Sequence, residues 1–293
     1  MNRIQTARIA GTRFLFDHFG KGGFWELWPW KLDPFCVHEE AAAEVVIRNA
    51  QSGEVCPETG AVLHSEHAGF FRRDVLRAGD GGSVWRFIRK ASDEVVLQYH
   101  LSADYRRVTL YVDRTESSGM VAFEYLNQMV PFIQLKHDAI SFHGVLLEYE
   151  GGCIAVCADS GVGKTTHARL WRDCKNALIL NGDRAVLRKN DRGWMGYGSP
   201  WSGSSGEQIN RCAPLKALVI LERGERNLAV RLNPIETLTG VLAHVLFPGW
   251  DPELTGKAMD LLDDLLTDVP VFRLRCRPDE EAVQVLYDAV YGE

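Results

Sequence analysis

No two of the seven cysteines are spaced Cys-x-x-Cys, and no His-x-x-x-His pair accompanies them. The usual zinc frameworks are therefore missing. Cys36, Cys56, Cys153, Cys157, Cys174, Cys212 and Cys276 are scattered and odd in number, which fits reduced thiols better than a disulfide scaffold. Long apolar runs are missing too. No window approaches the roughly 18 to 20 residues of a membrane span, and the opening "MNRIQTARIAGTRFLF" has no apolar stretch of signal-peptide length. Nor is there an excess of positive charge: 33 Lys and Arg stand against 39 Asp and Glu, a net charge of -6, which argues against a nucleic-acid surface. No internal repeat and no low-complexity tract occurs. These absences predict a cytoplasmic protein that engages neither membrane nor nucleic acid.

What remains is a chain of 293 residues, 46% apolar and 25% charged, enough for one large or two modest domains. Residues 1 to 118 read as β-rich. "TARIAGTRFLFDHF" predicts a strand pair, and "SVWRFIRKASDEVVLQYHLSADYRRVTLYVD" predicts three short strands. The aromatic-dense "GFWELWPWKLDPF" reads as packing plus a loop, with a ligand groove as the alternative. "EVCPETGAVLHSEH" has metal-ligand residue types at a spacing that fits no standard site. In "MVAFEYLNQMVPFIQL", Val121, Tyr125, Met129 and Phe132 recur at helical spacing.

The second half, from residue 119, reads as α/β. "SFHGVLLEYEGGCIAVCADSGVGKTT" is strand, Gly151-Gly152 turn, strand, loop, helix. "NALILNGDRAVLRKNDRGWMGYG" predicts three strands and "KALVILERGERNLAVRL" a hairpin. "NPIETLTGVLAHVLF" predicts a helix capped by Asn233, with Pro234 first and Glu236 third, and "RPDEEAVQVLYDAV" a second proline-started helix.

The chemistry concentrates in "ADSGVGKTTHARLW". It follows the phosphate-loop pattern, with alanine at the first glycine position. Glycines at 161 and 163 permit backbone angles that turn successive N–H groups of Asp159, Ser160, Gly161, Val162, Gly163, Lys164, Thr165 and Thr166 toward phosphate oxygens. A helix beginning near Gly163 adds its positive end. Lys164 would reach the terminal phosphates, and the Thr165 hydroxyl would ligate Mg2+. Asp183 closes the next apolar run, where a carboxylate can serve phosphate-bound Mg2+ or take an acceptor proton; the other reading is a turn aspartate in Asn-Gly-Asp. His143 in "SFHG" has a structural and a functional reading.

The run "SFHGVLLEYEGGCIAVCADSGVGKTTHARLW", followed by "LILNGDRAV", resembles the core of HPr kinase/phosphorylase. The same core occurs in ATP-dependent phosphoenolpyruvate carboxykinase, whose loop also ends Gly-Lys-Thr-Thr. The layout "YGSPWSG", "PLKALVILERGERN" and two helices resembles stand-alone HPr-kinase-like proteins, some of which accompany ribosomal peptide-modification systems. The resemblance covers residues 119 to 293. It implies a mixed-sheet P-loop kinase core of the HPr kinase/phosphoenolpyruvate carboxykinase type behind a β-rich N-terminal region, with ATP and Mg2+ as cofactors. It also implies a functional His143, a metal-side carboxylate at Glu207, a phosphate contact at Arg211 and a homo-oligomer. Where that family has two adjacent acidic residues, this chain has Gly182-Asp183-Arg184, so Asp183 is either base or metal ligand, with base preferred. The segment tied to the family's reverse, phosphate-driven reaction is absent, which leaves forward transfer.

The resulting expectation is a kinase that transfers the terminal phosphoryl group of ATP to a hydroxyl of a peptide, protein or small molecule. The alternative is a nucleotide-binding regulatory module without transfer. A carboxykinase-like lyase would need a transition-metal site of His, Lys and Asp that cannot be assembled from these residues. "YGSPWSGSSGEQ", Gly- and Ser-rich around Trp201, is the candidate mobile lid.

Overall fold

A computed structural model describes residues 4–17, 30–38, 41–114 and 118–292. The chain divides into two units, Met1–Ile133 and Gln134–Glu293. Each carries one mixed nine-stranded sheet, and six α-helices occur among the described residues. No helix among the described residues is long and apolar enough to cross a membrane.

The first unit holds β1 (Ile4–Ile9), β2 (Thr12–Asp17), β3 (Cys36–Val37), β4 (Val45–Asn49), β5 (Thr59–Ala68), β6 (Phe71–Ala78), β7 (Ser83–Arg89), β8 (Glu94–Leu101) and β9 (Arg107–Asp113). Their spatial order is β3-β1-β2-β4-β9-β8-β7-β6-β5. Alternation makes these strands: in β2, Thr12, Phe14 and Phe16 are buried while Arg13, Leu15 and Asp17 are partly exposed. The expected strand pair and three-strand run are present; most of "GFWELWPW" lies outside the described residues.

The expected single helix is two, α1 (Ser118–Leu126) and α2 (Val130–Lys136). Pro131 is the reason. It has no N–H to continue the ladder, and its ring would collide with the preceding turn. Tyr125 of α1 sets its ring 4.3 Å from Phe87 and 5.9 Å from Phe71 on the sheet. That anchorage places α1 with the first unit, so the division falls after Ile133 rather than at the 118/119 boundary drawn from sequence.

The second unit holds β10 (Ala139–Tyr149), β11 (Gly152–Cys157), α3 (Lys164–Lys175), β12 (Leu178–Asn181), β13 (Arg184–Asn190), β14 (Gly193–Tyr197), β15 (Cys212–Arg223), β16 (Leu228–Arg231), α4 (Pro234–Leu242), β17 (Val245–Leu246), α5 (Pro252–Asp268), β18 (Val271–Cys276) and α6 (Glu280–Tyr291). The sheet runs β11-β10-β13-β14-β15-β18-β16, and β11 also pairs in parallel with β15. β11, β10, β13, β14 and β15 thus form a closed hydrogen-bonded circuit. All six residues of β11 are buried, as expected of a strand covered on both faces. α3 and α6 bury Ala168, Trp171, Ala282, Val283 and Leu286 against Val145, Ile154, Val156, Val219 and Leu274. Each large apolar side chain so buried contributes about 1.5–3 kcal/mol.

Three expectations change here. β15 and β16 do not form a hairpin, because β18 lies between them, parallel to β15 and antiparallel to β16. The helix at 233–247 stops at Leu242, since Val245 and Leu246 leave it to pair with Phe142 and Ser141 of β10. Its cap is as expected, with the Asn233 side chain accepting from Ile235 and Glu236 and Glu236 reaching back. Pro278 lies outside α6, whose cap is Asp279.

Candidate functional site

β11 delivers the chain to a loop that α3 leaves. Gly161 and Gly163 both have positive φ, 79° and 127°, which a side chain would resist. Gly163 is the N-cap of α3 and provides no side-chain cap. α4, α5 and α6 are each capped by Asn233, Asp251 or Asp279. The first-turn N–H groups of α3 thus lack both intrahelical and side-chain acceptors, and the helix dipole adds positive potential where they point. Lys164 Nζ lies over the loop, donating to the carbonyl of Ala158 at 2.7 Å. Arg223, at the end of β15, donates to the carbonyls of Gly161 at 2.6 Å and Val162 at 3.4 Å. The loop is thereby braced from outside by a cation.

Asp183 sits in the two-residue turn between β12 and β13, where β10 runs alongside. The Gly144 N–H donates to the Asp183 carbonyl at 2.9 Å, and His143 pairs with Arg184 across the strands. The Asp183 carboxylate lies 3.4 Å from His143 Nδ1 and 3.3 Å from Arg184 Nε. Gly203 closes over it, since a Cβ there would lie 2.8 Å from Asp183 Cγ. Behind this turn, Asn181 is fully buried. Its Oδ1 accepts from the N–H groups of Asp183 and Arg184, at 2.9 and 2.6 Å. Its Nδ2 donates to the carbonyls of Ser199 and Trp201, at 2.9 and 3.1 Å. One side chain therefore ties the Asp183 turn to the 199–201 segment.

The loop and this turn share one electrostatic environment. Burial holds the Lys164 ammonium below its usual range, while Cys157, Asp183 and Asp159 oppose that shift. Burial likewise lowers His143; Lys164, Arg184 and His244 act with it, and Asp183 against it. His244 is lowered by burial, and its carbonyl accepts the His143 N–H at 2.9 Å. Lys164, Asp183 and His143 are brought together. No group of three His, Cys, Asp or Glu side chains that could hold a metal occurs among the described residues.

No protein-family model matches the sequence, and no curated protein matches it. Among solved structures, the Hpr(Ser) kinase/phosphatase from Coxiella burnetii aligns at 10% identity with a TM-score of 0.31, covering 51% of this chain and 95% of that one.

Two expected site residues are engaged by other side chains, although the Glu207 carbonyl accepts the Gly182 N–H at 3.0 Å beside Asp183. The Glu207 carboxylate is engaged by Arg172 Nη1 at 2.9 Å and Arg169 Nε at 3.9 Å, both on α3. Only the Arg172 contact is a hydrogen bond, and Glu207 Oε2 is buried without a hydrogen-bond partner among the described residues. Arg211 Nη2 binds Glu148 at 2.6 Å, neutralising a buried carboxylate well along β10 from His143. Trp201 and Ser202 are buried, so this part of "YGSPWSGSSGEQ" is wall rather than free lid. Asn181, Arg223 and His244 were not singled out from sequence, because each acts through partners remote in the chain.

On the other side of the loop opens a cleft of about 470 Å³, lined by Gly161–Gly163, Thr166 and His167 and by the chain ends at Arg223 and Cys276–Pro278. His167 is 3% exposed, and burial pushes its imidazole down to about 4 from 6.5. The folded form keeps this ring neutral, whereas the unfolded chain protonates it near 6.5. Its contribution is complete above that pH and is lost, by roughly 3 kcal/mol, as pH falls toward 4. Urea unfolding at pH 7 and pH 4.5 should therefore show a smaller loss for His167→Gln than for the parent; equal losses would contradict the assignment.

Proposed function

We propose that this chain is an ATP- and Mg2+-dependent kinase that transfers the terminal phosphoryl group to a hydroxyl acceptor. The observation that supports this most is the meeting of two half-sites. One is an uncapped helix N-terminus carrying Lys164, suited to phosphate. The other is a carboxylate, Asp183, close enough to Lys164 to oppose the depression of its pKa.

In this reading the N–H groups of 159–166 hold the phosphates of ATP. The Thr165 hydroxyl offers a hard oxygen donor that suits Mg2+, and the ion would supply further neutralisation of phosphate charge. Asp183 orients the acceptor hydroxyl and takes its proton as the new O–P bond forms. The bond from the terminal phosphorus to the bridging oxygen breaks, and ADP leaves with that electron pair. Lys164 offsets the charge that grows on the departing side. His143, neutral at physiological pH, fixes the carboxylate from the facing strand. Transfer of this kind depends mainly on positioning and electrostatics, which these groups supply.

One observation favours a second reading, a nucleotide-binding module without transfer. Arg184 Nε lies 3.3 Å from Asp183, and a guanidinium there competes for the base. Incubation with Mg–ATP and a panel of serine peptides and small alcohols separates the two. Transfer requires ADP together with an acceptor gaining one phosphoryl mass. ATP recovered intact from a bound complex under every acceptor would leave the module.

A further inference from the structure

β11, β15 and β18 run parallel; Arg223 and Cys276 end their strands side by side, and β11 ends at Cys157 opposite Ile220, three residues short of Arg223. Crevices beyond the carboxyl ends of parallel strands are where α/β sheets take ligands. The 470 Å³ cleft opens at these ends and falls within the range of roughly 300–1,000 Å³ typical of ligand pockets. Its position relative to chemistry matters. His143 and Asp183 are carried by β10 and the turn before β13, on one side of β11, whereas β15 and β18 lie on the other. The phosphate loop, which continues β11, stands between the transfer centre and the cleft.

His167 gives the cleft a polar anchor. Trp171 Nε1 lies 3.1 Å from His167 Nε2, and an indole nitrogen only donates. Nε2 must therefore carry the lone pair, so the single proton of the neutral ring sits on Nδ1. That Nδ1–H is buried and meets no hydrogen-bond acceptor among the described residues. Leaving such a donor unmet costs about 1–3 kcal/mol. Helical side chains lean toward the helix N-terminus, so the ring of His167 tilts toward the loop.

The charges around the cleft are already matched. Arg223 is occupied by the carbonyls of Gly161 and Val162, Arg277 by Asp279 and Glu281, and Glu222 by Arg273 and Arg275. The cleft therefore suits an uncharged, hydrogen-bonding group rather than a further anion.

We infer that this cleft is the nucleoside half of the nucleotide site, and that the His167 Nδ1–H donates to the ribose or base of a bound nucleoside triphosphate. The inference rests on the phosphate-loop reading above. A triphosphate laid along the loop with its terminal phosphate toward Lys164 and Asp183 presents its other end to the cleft.

Isothermal titration of the full chain with Mg–ATP and, separately, with Mg–tripolyphosphate tests it. Tripolyphosphate has the phosphates but no nucleoside. ATP should bind at least about tenfold more tightly, the worth of one satisfied buried donor. His167→Leu should bring ATP down to the affinity of tripolyphosphate and leave tripolyphosphate unchanged. His167→Gln, which keeps an acceptor for Trp171 and a donor for the ligand, should retain most of the difference. Cys276→Met, which fills the cleft from the end of β18, should weaken ATP alone and does not depend on His167→Leu folding. Equal affinities in the parent chain would overturn the nucleoside assignment while leaving the phosphate loop in place. Failure of both ligands to bind would sink the phosphate-loop reading and this inference with it. Loss of both ligands in a folded His167→Leu would also count against it, by making His167 a support of the loop rather than a nucleoside contact.

Discussion

Lys164→Ala is expected to leave a folded protein that transfers phosphate at least roughly a hundredfold more slowly than the parent, since removing a single oxyanion-type donor already costs that much. The Lys164 ammonium rests on the carbonyls of Ala158 and Asp159, at 2.7 and 3.4 Å, in a half-buried position. One hydrogen bond to the buried Ala158 carbonyl is lost in the variant, so the stability loss should be on the order of 1 kcal/mol. The kinetic loss has a different origin. Negative charge would build on the terminal phosphates in the transition state, and among the described residues no other ammonium is bonded to this loop; Arg223 braces it from outside. Matching thermal unfolding with collapsed turnover is the expected pair of results. Turnover above about a tenth of the parent value would remove Lys164 from the chemistry.

Asp183→Asn should cut turnover by about two to four orders of magnitude if Asp183 is the base. The amide preserves volume against Gly203 and retains hydrogen-bonding capacity toward Arg184 and His143, so the turn should hold its shape. What it cannot do is accept the acceptor proton. Mg–ATP affinity should then change by less than about tenfold, because the loop N–H groups, Lys164 and Thr165 are untouched. If Asp183 holds the metal instead, affinity and turnover fall together, and raised Mg2+ restores part of both. A fluorescent ATP analogue titrated beside single-turnover transfer decides between the roles, and unchanged turnover would exclude both.

The parts of this molecule legible in sequence are those whose determinants are contiguous. The loop of Gly161, Gly163 and Lys164 needs only a strand before it and a helix after it, and both show in the hydrophobic pattern. The hairpin turn and the capping box of α4 are local in the same sense, although the turn falls at Glu150–Gly151, one residue before the expected Gly151-Gly152, with Gly152 already in β11. Asp183 was legible because it ends an apolar run. The pairing of Glu207 with Arg172 and of Arg211 with Glu148 was not legible, because these partners are remote in the chain and no local pattern records them. The insertion of β18 between β15 and β16 is equally nonlocal. His167 looked like an ordinary helical residue, and only its bond to Trp171 and its burial reveal the tautomer.

Asn181 has a mechanical consequence. Its side chain grips the backbone of Asp183 and Arg184 on one side and of Ser199 and Trp201 on the other. The two stretches are thereby geared together, so that neither shifts without dragging its neighbour. Any displacement of the Ser199–Trp201 stretch is thus transmitted through one amide to the turn that carries the Asp183 carboxylate.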